Sequence, residues 1–274
     1  MPRSDDPCFS LYSRAMSRKH AVFALLALTV AVAAIALLAP RTPQPLNYHN
    51  FADHRAWLGI PNFGDVASNL AFAIFGAWGL GFLLRLRSTE TVVHFVDSRE
   101  RWFYLLVFFG MLLTAVGSSY YHLAPDNDRL VWDRLPMTIV FMSLVAAMIA
   151  ERISVRAALW LWPILLAIGI LSVLEWNWTE HASHGDLRFY AAVQVYAVLV
   201  LLCVLFLPTG YTHGWYLGAV VGFYVLAKLL ETFDMQVFAV GHIVSGHTLK
   251  HVVAGLAGYW ILKMLDRRQV SSQI

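Results

Sequence analysis

The stretch FYLLVFFGMLLTAVGSSYY, residues 103–121, decides the fold of this chain. It is long, apolar and free of charged side chains. A helix needs roughly 20 predominantly apolar residues to cross a bilayer. Because hydrocarbon offers no partner to backbone N–H and C=O groups, a spanning segment must pair them internally, as a helix does. The stretch therefore predicts a transmembrane helix.

Seven further stretches of the same character follow or precede it, so that eight spans are predicted. Their approximate bounds are 21–39, 66–84, 102–121, 135–150, 157–174, 189–207, 215–231 and 246–263. The composition agrees, since 59% of the 274 residues are hydrophobic and 14% are charged, against roughly 25% charged in soluble domains. We expect an all-α protein, a polytopic transmembrane helix bundle with a seven-helix core and one extra N-terminal helix.

The predicted spans divide the chain into three parts. Residues 1–45 hold an N-terminal cytoplasmic tail and the extra helix, residues 46–265 the seven-helix core, and residues 266–274 a second cytoplasmic tail. Basic residues before the first stretch are also typical of a signal peptide. The run is long for such a peptide, and Pro40 would follow a cleavage after Ala39, so we favour an anchored helix.

The positions of Lys and Arg predict the orientation, because cytoplasmic loops carry an excess of both. With the N-terminus inside, thirteen basic residues lie in inner segments and five in outer segments. The inner residues are Arg3, Arg14, Arg18, Lys19, Arg85, Arg87, Arg99, Arg101, Arg152, Arg156, Lys263, Arg267 and Arg268. The outer residues are Arg41, Arg55, Arg129, Arg134 and Arg188. Both termini are therefore predicted to be cytoplasmic.

Two classes of partner or site are not supported by the sequence. No basic patch with interleaved aromatic residues occurs, which argues against a nucleic-acid partner. The two cysteines, Cys8 and Cys203, lie far apart and form neither a disulfide framework nor a CxxC metal motif.

Four polar residues that are distant in sequence fall at one membrane depth in this topology. The third span ends outside at His122, the fourth begins outside after Asp133, and the eighth begins outside with His247 and His251. Residues four apart share one face of a helix, so His247 and His251 can bind one metal ion and His122 can be the third ligand. Three protein ligands and one open position are typical of a catalytic zinc site.

The neighbouring residues complete a hydrolytic site near the outer face. Bound zinc lowers the pKa of water towards ~7 and polarises a carbonyl oxygen. Asp133 can accept the proton of the attacking water, and Ser118, one turn before His122, can donate a hydrogen bond to a developing oxyanion. Alternatives stay open: Asp133 can cap the fourth span, with Pro136 in its first turn, and Ser118 can be a small residue for close helix packing.

Three segments resemble the alkaline ceramidase family. GSSYYHLAPDNDRLVWDRLPM (117–137) resembles its serine, histidine and aspartate motif, and GHTLKHVVAGLAGYW (246–260) resembles its last-helix HxxxH segment. PNFGDVASNLAFAIFGAWGL (61–80) resembles its first core helix. The order and spacing agree over roughly residues 48–263. This family belongs to a wider group of seven-helix membrane hydrolases that includes adiponectin-receptor-like proteins.

The resemblance implies roles and a substrate. His122, His247 and His251 would hold Zn²⁺, Asp133 would handle the proton and Ser118 would stabilise the oxyanion. The substrate would be a membrane lipid, an N-acyl sphingoid base cleaved to a fatty acid and a free amine. We expect a multi-pass hydrolase of sphingolipid metabolism in a bacterial inner membrane.

The chain departs from the family before the first core helix. Eukaryotic members bind calcium there through an acidic cluster, whereas here Asn62 stands where a glutamate is usual and the acids are Asp53 and Asp65. A calcium ion is therefore doubtful. Two further groups have no assigned role. One group is the pair Lys228 and Glu231, which we interpret as a structural ion pair, with a substrate-facing role as the less favoured interpretation. The other is the loop histidines His181 and His184, where a second metal site is the less favoured interpretation.

Other functions fit the same pattern. Zinc chemistry would equally serve the hydrolysis of another lipid amide or of a lipid ester. A zinc-stabilised membrane receptor or scaffold without turnover is a rival from another class, but such a site would need no base beside the metal. A transporter is disfavoured, because we see no internal repeat and few broken helices.

Overall fold

The computed structural model describes residues 18–271, and its regular secondary structure is helical, as predicted. Each of the eight apolar stretches forms a helix, the second of them with a break at Asn69. The long helices are α1 (Arg18–Leu38), α3 (Leu70–Arg85), α5 (Arg101–Leu123), α6 (Asn127–Arg152), α7 (Val155–His181), α8 (Arg188–Leu205), α9 (Tyr216–Thr232) and α11 (Gly246–Arg267). The short helices are α2 (Phe63–Ser68), α4 (Ser88–His94) and α10 (Asp234–Ala239).

Six helical segments in the described part of the chain are long and apolar enough to cross a membrane. They correspond to α1, α2 with α3, α5, α6, α7 and α8. The protein is therefore a multi-pass membrane protein. Helix α9 has 17 residues, and α11 carries Lys250 between two histidines. For these two helices the prediction of a membrane span rests on the alternation of helix directions.

The helices enclose a central space. Helix α6 packs against α5, α7 and α8, α3 packs against α5 and α11, and α9 packs against α8 and α11. Helices α3, α5, α6, α8, α9 and α11 thus form a ring, with α7 outside it. Helix α1 lies outside the ring against α8, where the hydroxyls of Thr29 and Tyr196 are 3.1 Å apart.

The start of α6 differs from the prediction. The helix begins at Asn127, and the side chain of Asp126 accepts a hydrogen bond of 2.7 Å from the backbone N–H of Arg129. Asp126 is therefore the N-cap, so the alternative that Asp133 caps this helix is wrong. Pro136 lies well inside the helix. Hydropathy missed the first two turns because they are polar, while a helix at the end of a membrane span can expose such residues to water.

A glycine sets the distance between α5 and α6 beside Asp133. A Cβ atom added to Gly117 would lie 1.9 Å from the backbone carbonyl oxygen of Trp132, closer than any two such atoms can approach. Any other residue would push the helices apart. Gly117 therefore lets Ser118 on α5 lie close to Asp133 on α6.

Exposed tryptophans mark both ends of the bundle. Trp57, Trp132 and Trp178 are exposed at the end where α5 finishes, and Trp102, Trp160 and Trp215 are exposed at the opposite end. Tryptophan is enriched at both membrane–water interfaces. The two groups indicate where the bilayer surfaces lie, and the end with Trp57 also holds the predicted site residues.

We predict that a reporter fused after Ile274, which lies outside the described residues, is cytoplasmic. The expectation rests on the excess of Lys and Arg at the end of the bundle opposite His122. Paired alkaline phosphatase and green fluorescent protein fusions at this position measure the side directly. Fusions in the loop after Leu123 should give the opposite result. An exported C-terminus would contradict both the number of spans and the placement of the histidines near the outer face.

Candidate metal centre

Three histidines converge at one end of the bundle. His122 lies in the last turn of α5, and His247 and His251 lie in the first two turns of α11. All three are buried, with 1%, 4% and 2% of their surfaces exposed. Their ligand nitrogens lie within 4.8 Å of one another. Within residues 18–271, this is the one group of three or more His, Cys, Asp or Glu side chains arranged to hold a metal ion.

The distances between the rings suit a metal ion. The Nε2 atoms of His122 and His247 are 3.3 Å apart. Two imidazole nitrogens that share a tetrahedral zinc ion at ~2.0–2.1 Å are separated by roughly 3.3–3.4 Å. The ring centroids lie 4.8–5.0 Å apart in all three pairs. The histidines can therefore hold a metal ion as they stand.

The hydrogen bonds of His251 indicate which nitrogen faces the metal position. Its Nδ1 lies 2.8 Å from the hydroxyl oxygen of Ser68, and that hydroxyl donates to the backbone carbonyl of Asp65. Ser68 must therefore accept from His251, so Nδ1 carries the proton and Nε2 keeps its lone pair. Metal-bound histidines commonly donate their other ring N–H in this way.

Backbone contacts hold the other two histidines in place. The backbone N–H of His247 donates to the Asp234 carboxylate at 2.7 Å, and the same carboxylate accepts from the N–H of Ala52. The Asn62 amide donates to the carbonyl oxygen of His122 at 2.8 Å. Phe51 covers the site, since its ring centroid lies 4.7 Å from that of His122 and 4.3 Å from that of His247.

The predicted chemical residues lie beside the histidines. Ser118 and Asp133 are buried, and both line the same cavity as His251. The Ser118 hydroxyl lies beside the Asp133 carboxylate, but it makes no hydrogen bond of normal geometry with any described residue. A buried hydroxyl without a partner is costly and is available to a ligand. The structure thus brings all five predicted site residues together.

This cavity extends from the histidines into the centre of the ring. It has a volume of about 330 Å³, within the usual range of ligand pockets. On α11 it follows one stripe from Lys250 to Ile261, a distance of about 16 Å at 1.5 Å per residue. Small side chains, Ala254 and Ala257, leave room on this stripe, and apolar side chains of α6, α8 and α9 form most of the other walls.

A group of three charged residues lies at the polar end. Glu231 pairs with Lys228, as predicted, and also with Lys250, whose Nζ is 3.3 Å from the Glu231 carboxylate. All three line the cavity. The Lys228 side chain is 50% exposed, whereas the side chains of Lys250 and Glu231 are 17% and 19% exposed. Ion pairing lowers the cost of these charges at membrane depth.

The other acidic and histidine residues that the sequence analysis singled out each contact a protein group. The Arg55 guanidinium, 2.7 Å from the Asp53 carboxylate, lowers the pKa of Asp53. Asp65 accepts a hydrogen bond from Thr248 at 2.7 Å. His181 lies 3.0 Å from Asp128 and is exposed, while His184 Nδ1 contacts the carbonyl of Ala182. No group among residues 18–271 forms a second convergent metal site around these histidines, and the doubt about calcium stays a prediction.

Several residues of the site were missed from the sequence. Lys250 could have been found, because it follows His247 by three residues and so lies on the ligand face of α11. Asp234 and Gln44 gave no signal, since neither belongs to a periodic pattern or a motif. Comparison with models of known protein families gives no match, and comparison with curated proteins gives no significant match.

We predict that the purified protein holds about one zinc ion per chain, as three converging histidines would. His247→Ala and His251→Ala should each lower the bound metal strongly, because each removes one of three ligands. Elemental analysis by mass spectrometry measures the metal and identifies it. His181→Ala is the matched control, since His181 is exposed at the same end of the bundle. Unchanged metal in the first two variants, or a loss in the control, would contradict the assignment.

Proposed function

We propose that the protein is a zinc-dependent membrane hydrolase that cleaves the amide bond of ceramide-like N-acyl lipids, releasing a fatty acid and a free amine. The observation that carries the proposal is that one of the three converging buried histidines, His251, lines the polar end of a long apolar cavity. The segments that resemble alkaline ceramidases contribute the five predicted site residues, which are Ser118, His122, Asp133, His247 and His251. The cavity supports a substrate with a hydrocarbon chain.

The residues of the chain have separate tasks in this proposal. His122, His247 and His251 would hold the ion, which would lower the pKa of water and polarise the substrate carbonyl. Asp133 would accept the proton from the attacking water and pass it to the leaving amine. Ser118 would donate a hydrogen bond to the carbonyl oxygen as negative charge develops there. Its hydroxyl lies beside Asp133 and makes no hydrogen bond of normal geometry with a described residue, which supports this assignment.

The apolar walls would position the substrate. An acyl chain along the Lys250–Ile261 stripe of α11 would place its carbonyl near His251, Asp133 and Ser118. Holding the reacting groups together contributes a large part of enzymatic rate acceleration. Phe51 and the closely packed helices would keep bulk water from the reacting atoms.

The direct test is hydrolysis by the purified protein. N-acyl lipids and matched esters of the same acid should be incubated with and without a chelator, and released fatty acid measured by mass spectrometry. We expect release from amides that the chelator abolishes and added zinc restores. Faster release of fatty acid from the esters than from the amides would indicate that the protein is an ester hydrolase. A protein that binds zinc but releases no fatty acid from either class would favour a receptor or scaffold.

Asp133→Asn tests the proton acceptor. The amide is close in size to the carboxylate but cannot accept the proton, so turnover should fall by a factor on the order of 10²–10⁴ while zinc is retained. Zinc content and lipid hydrolysis should be measured on one preparation. Asp126→Asn, which changes the exposed cap of the same helix, is the control and should remain active. Full activity with full zinc would remove Asp133 from the mechanism, and a parallel loss of zinc would make it a ligand.

Ala257→Leu tests the use of the cavity. Ala257 lines the cavity two turns beyond His251, so a larger side chain should shorten the space for the acyl chain. We expect kcat/KM to fall at least about tenfold for a long acyl chain and much less for a short one. Each methylene group that no longer fits in the cavity loses ~0.8 kcal/mol of burial, and a short chain loses few of them. Ala77→Leu on the exposed face of α3 is the control. Equal losses for both chain lengths would contradict this position of the chain.

A further inference from the structure

Arg134 is a buried arginine in the wall of the cavity. Only 4% of its surface is exposed, and it follows Asp133 on α6. The guanidinium carbon lies over three aromatic rings, 4.1 Å from the centroid of Trp176, 4.6 Å from that of Tyr190 and 5.5 Å from that of Tyr48. Cation–π contacts engage the face of a guanidinium and leave its N–H edges as the groups that can bind a ligand.

One of these edges is only partly used. Arg134 Nη2 donates to the side-chain oxygen of Gln44 at 2.7 Å, but Arg134 Nη1 is buried without a hydrogen-bond partner among the described residues. The amide nitrogen of Gln44, which is also buried, lacks a partner too. Arg134 lines the cavity and Gln44 does not. A buried donor without an acceptor costs free energy, which an acceptor on a ligand would recover at Arg134.

The charge of Arg134 is not neutralised by an ion pair. Two carboxylates occur in its surroundings: Asp133, and Glu180, which accepts hydrogen bonds from the Trp176 indole and the backbone N–H of Gln44. Neither forms an ion pair with Arg134, and no other carboxylate in residues 18–271 does. By contrast, the basic residues Lys228 and Lys250 in the same cavity both pair with Glu231.

The cavity as a whole has an excess of positive charge. Three basic and two acidic side chains line it: Arg134, Lys228, Lys250, Asp133 and Glu231. A bound metal ion would increase this excess. Lining an apolar cavity with an unpaired cation is costly at membrane depth, and an anionic group on the ligand would offset that cost.

We infer that Arg134, positioned by its hydrogen bond to Gln44, forms an oxyanion-binding subsite, and that the preferred lipid is an N-acyl amine whose amine part carries an acidic group such as a carboxylate or phosphate. A guanidinium group binds the oxygens of such a group through charge-assisted hydrogen bonds. The inference rests on the proposed function for its choice of an N-acyl lipid. It narrows the substrate class from neutral ceramide-like lipids to acidic ones.

The test uses two lipids that differ in one group. N-palmitoylglycine and N-palmitoylethanolamine share the acyl chain and the amide, but only the first carries a carboxylate. The ratio of their kcat/KM values should favour the glycine lipid by a factor on the order of 10–100, the value of charged hydrogen bonds. Binding of both lipids to chelator-treated protein, measured by microscale thermophoresis, should show the same preference without a metal ion to attract the carboxylate.

Gln44→Glu is the most informative variant. It is nearly isosteric and places a carboxylate against Arg134 within the protein, so it should remove the preference for the acidic lipid in both measurements. Arg134→Met should remove it as well, and Arg134→Lys should restore part of it. Arg129→Met is the matched control, since Arg129 is a half-buried residue of the same helix outside the cavity, and it should leave the ratio unchanged.

The outcomes separate this inference from the proposed function. If Arg134 and Gln44 only tether the segment before α2, Gln44→Glu will leave the ratio of the two lipids unchanged, and the subsite is overturned. Hydrolysis of both lipids at equal rates by the unaltered protein overturns the subsite but keeps the hydrolase. A third outcome is that the protein prefers to bind the acidic lipid, that Gln44→Glu removes this preference, and that neither lipid is hydrolysed. This outcome supports the subsite and contradicts the proposed hydrolase activity.

Discussion

The arrangement of the site depends on the burial of three imidazoles at a single point. Each polar ring nitrogen removed from water must find a partner, or its burial costs free energy. His251 finds one through Ser68, which leaves its second nitrogen directed towards the other two rings. The Nε2 atoms of His122 and His247 are 3.3 Å apart, which matches the separation of two nitrogens bound to one zinc ion. The rest of the bundle holds α5 and α11 so that this convergence persists.

Close helix packing makes that convergence possible. Gly117 brings α5 against α6 at the level of Ser118 and Asp133. On α11, Gly255 packs against Ala71 of α3, so the two helices approach closely just below His251. Small residues take this part in membrane bundles because lipid supplies no hydrophobic force to join helices, and van der Waals contact must do so. Other small residues of α11, which are Ala254, Ala257 and Gly258, line the central cavity and leave space for a chain.

Hydropathy predicted the helices well, because membrane spans carry a long and uniform signal. It failed where a helix leaves the apolar layer, as in the polar first turns of α6, and there it also suggested a capping role for Asp133 that the structure excludes. The ligand histidines were found because HxxxH is a local pattern on one helix and His122 could be aligned with it by depth. Gln44 and Asp234 were not found, since Gln44 lies in a loop and Asp234 begins the short helix α10, and no periodicity in the sequence encodes the position of either. Arg134 was counted only as a loop charge, although its neighbours Trp176 and Tyr190 come from two other helices.

Two buried arginines at opposite ends of the bundle show how charge is distributed in this fold. Arg268 is 1% exposed, pairs with Glu151, and lies over the rings of Phe95 and Tyr211. Arg134 is almost equally buried and has similar aromatic neighbours, but it lacks the ion pair. Burial alone therefore does not determine whether an arginine in this fold has a carboxylate partner. A buried cation without one persists only where it brings a compensating gain, and Arg134 differs from Arg268 in lining the cavity that ends at the histidines. The charge of Arg134, which forms no ion pair within residues 18–271, therefore lies where a ligand can reach it, while the ion pair of Arg268 and Glu151 stabilises the opposite end.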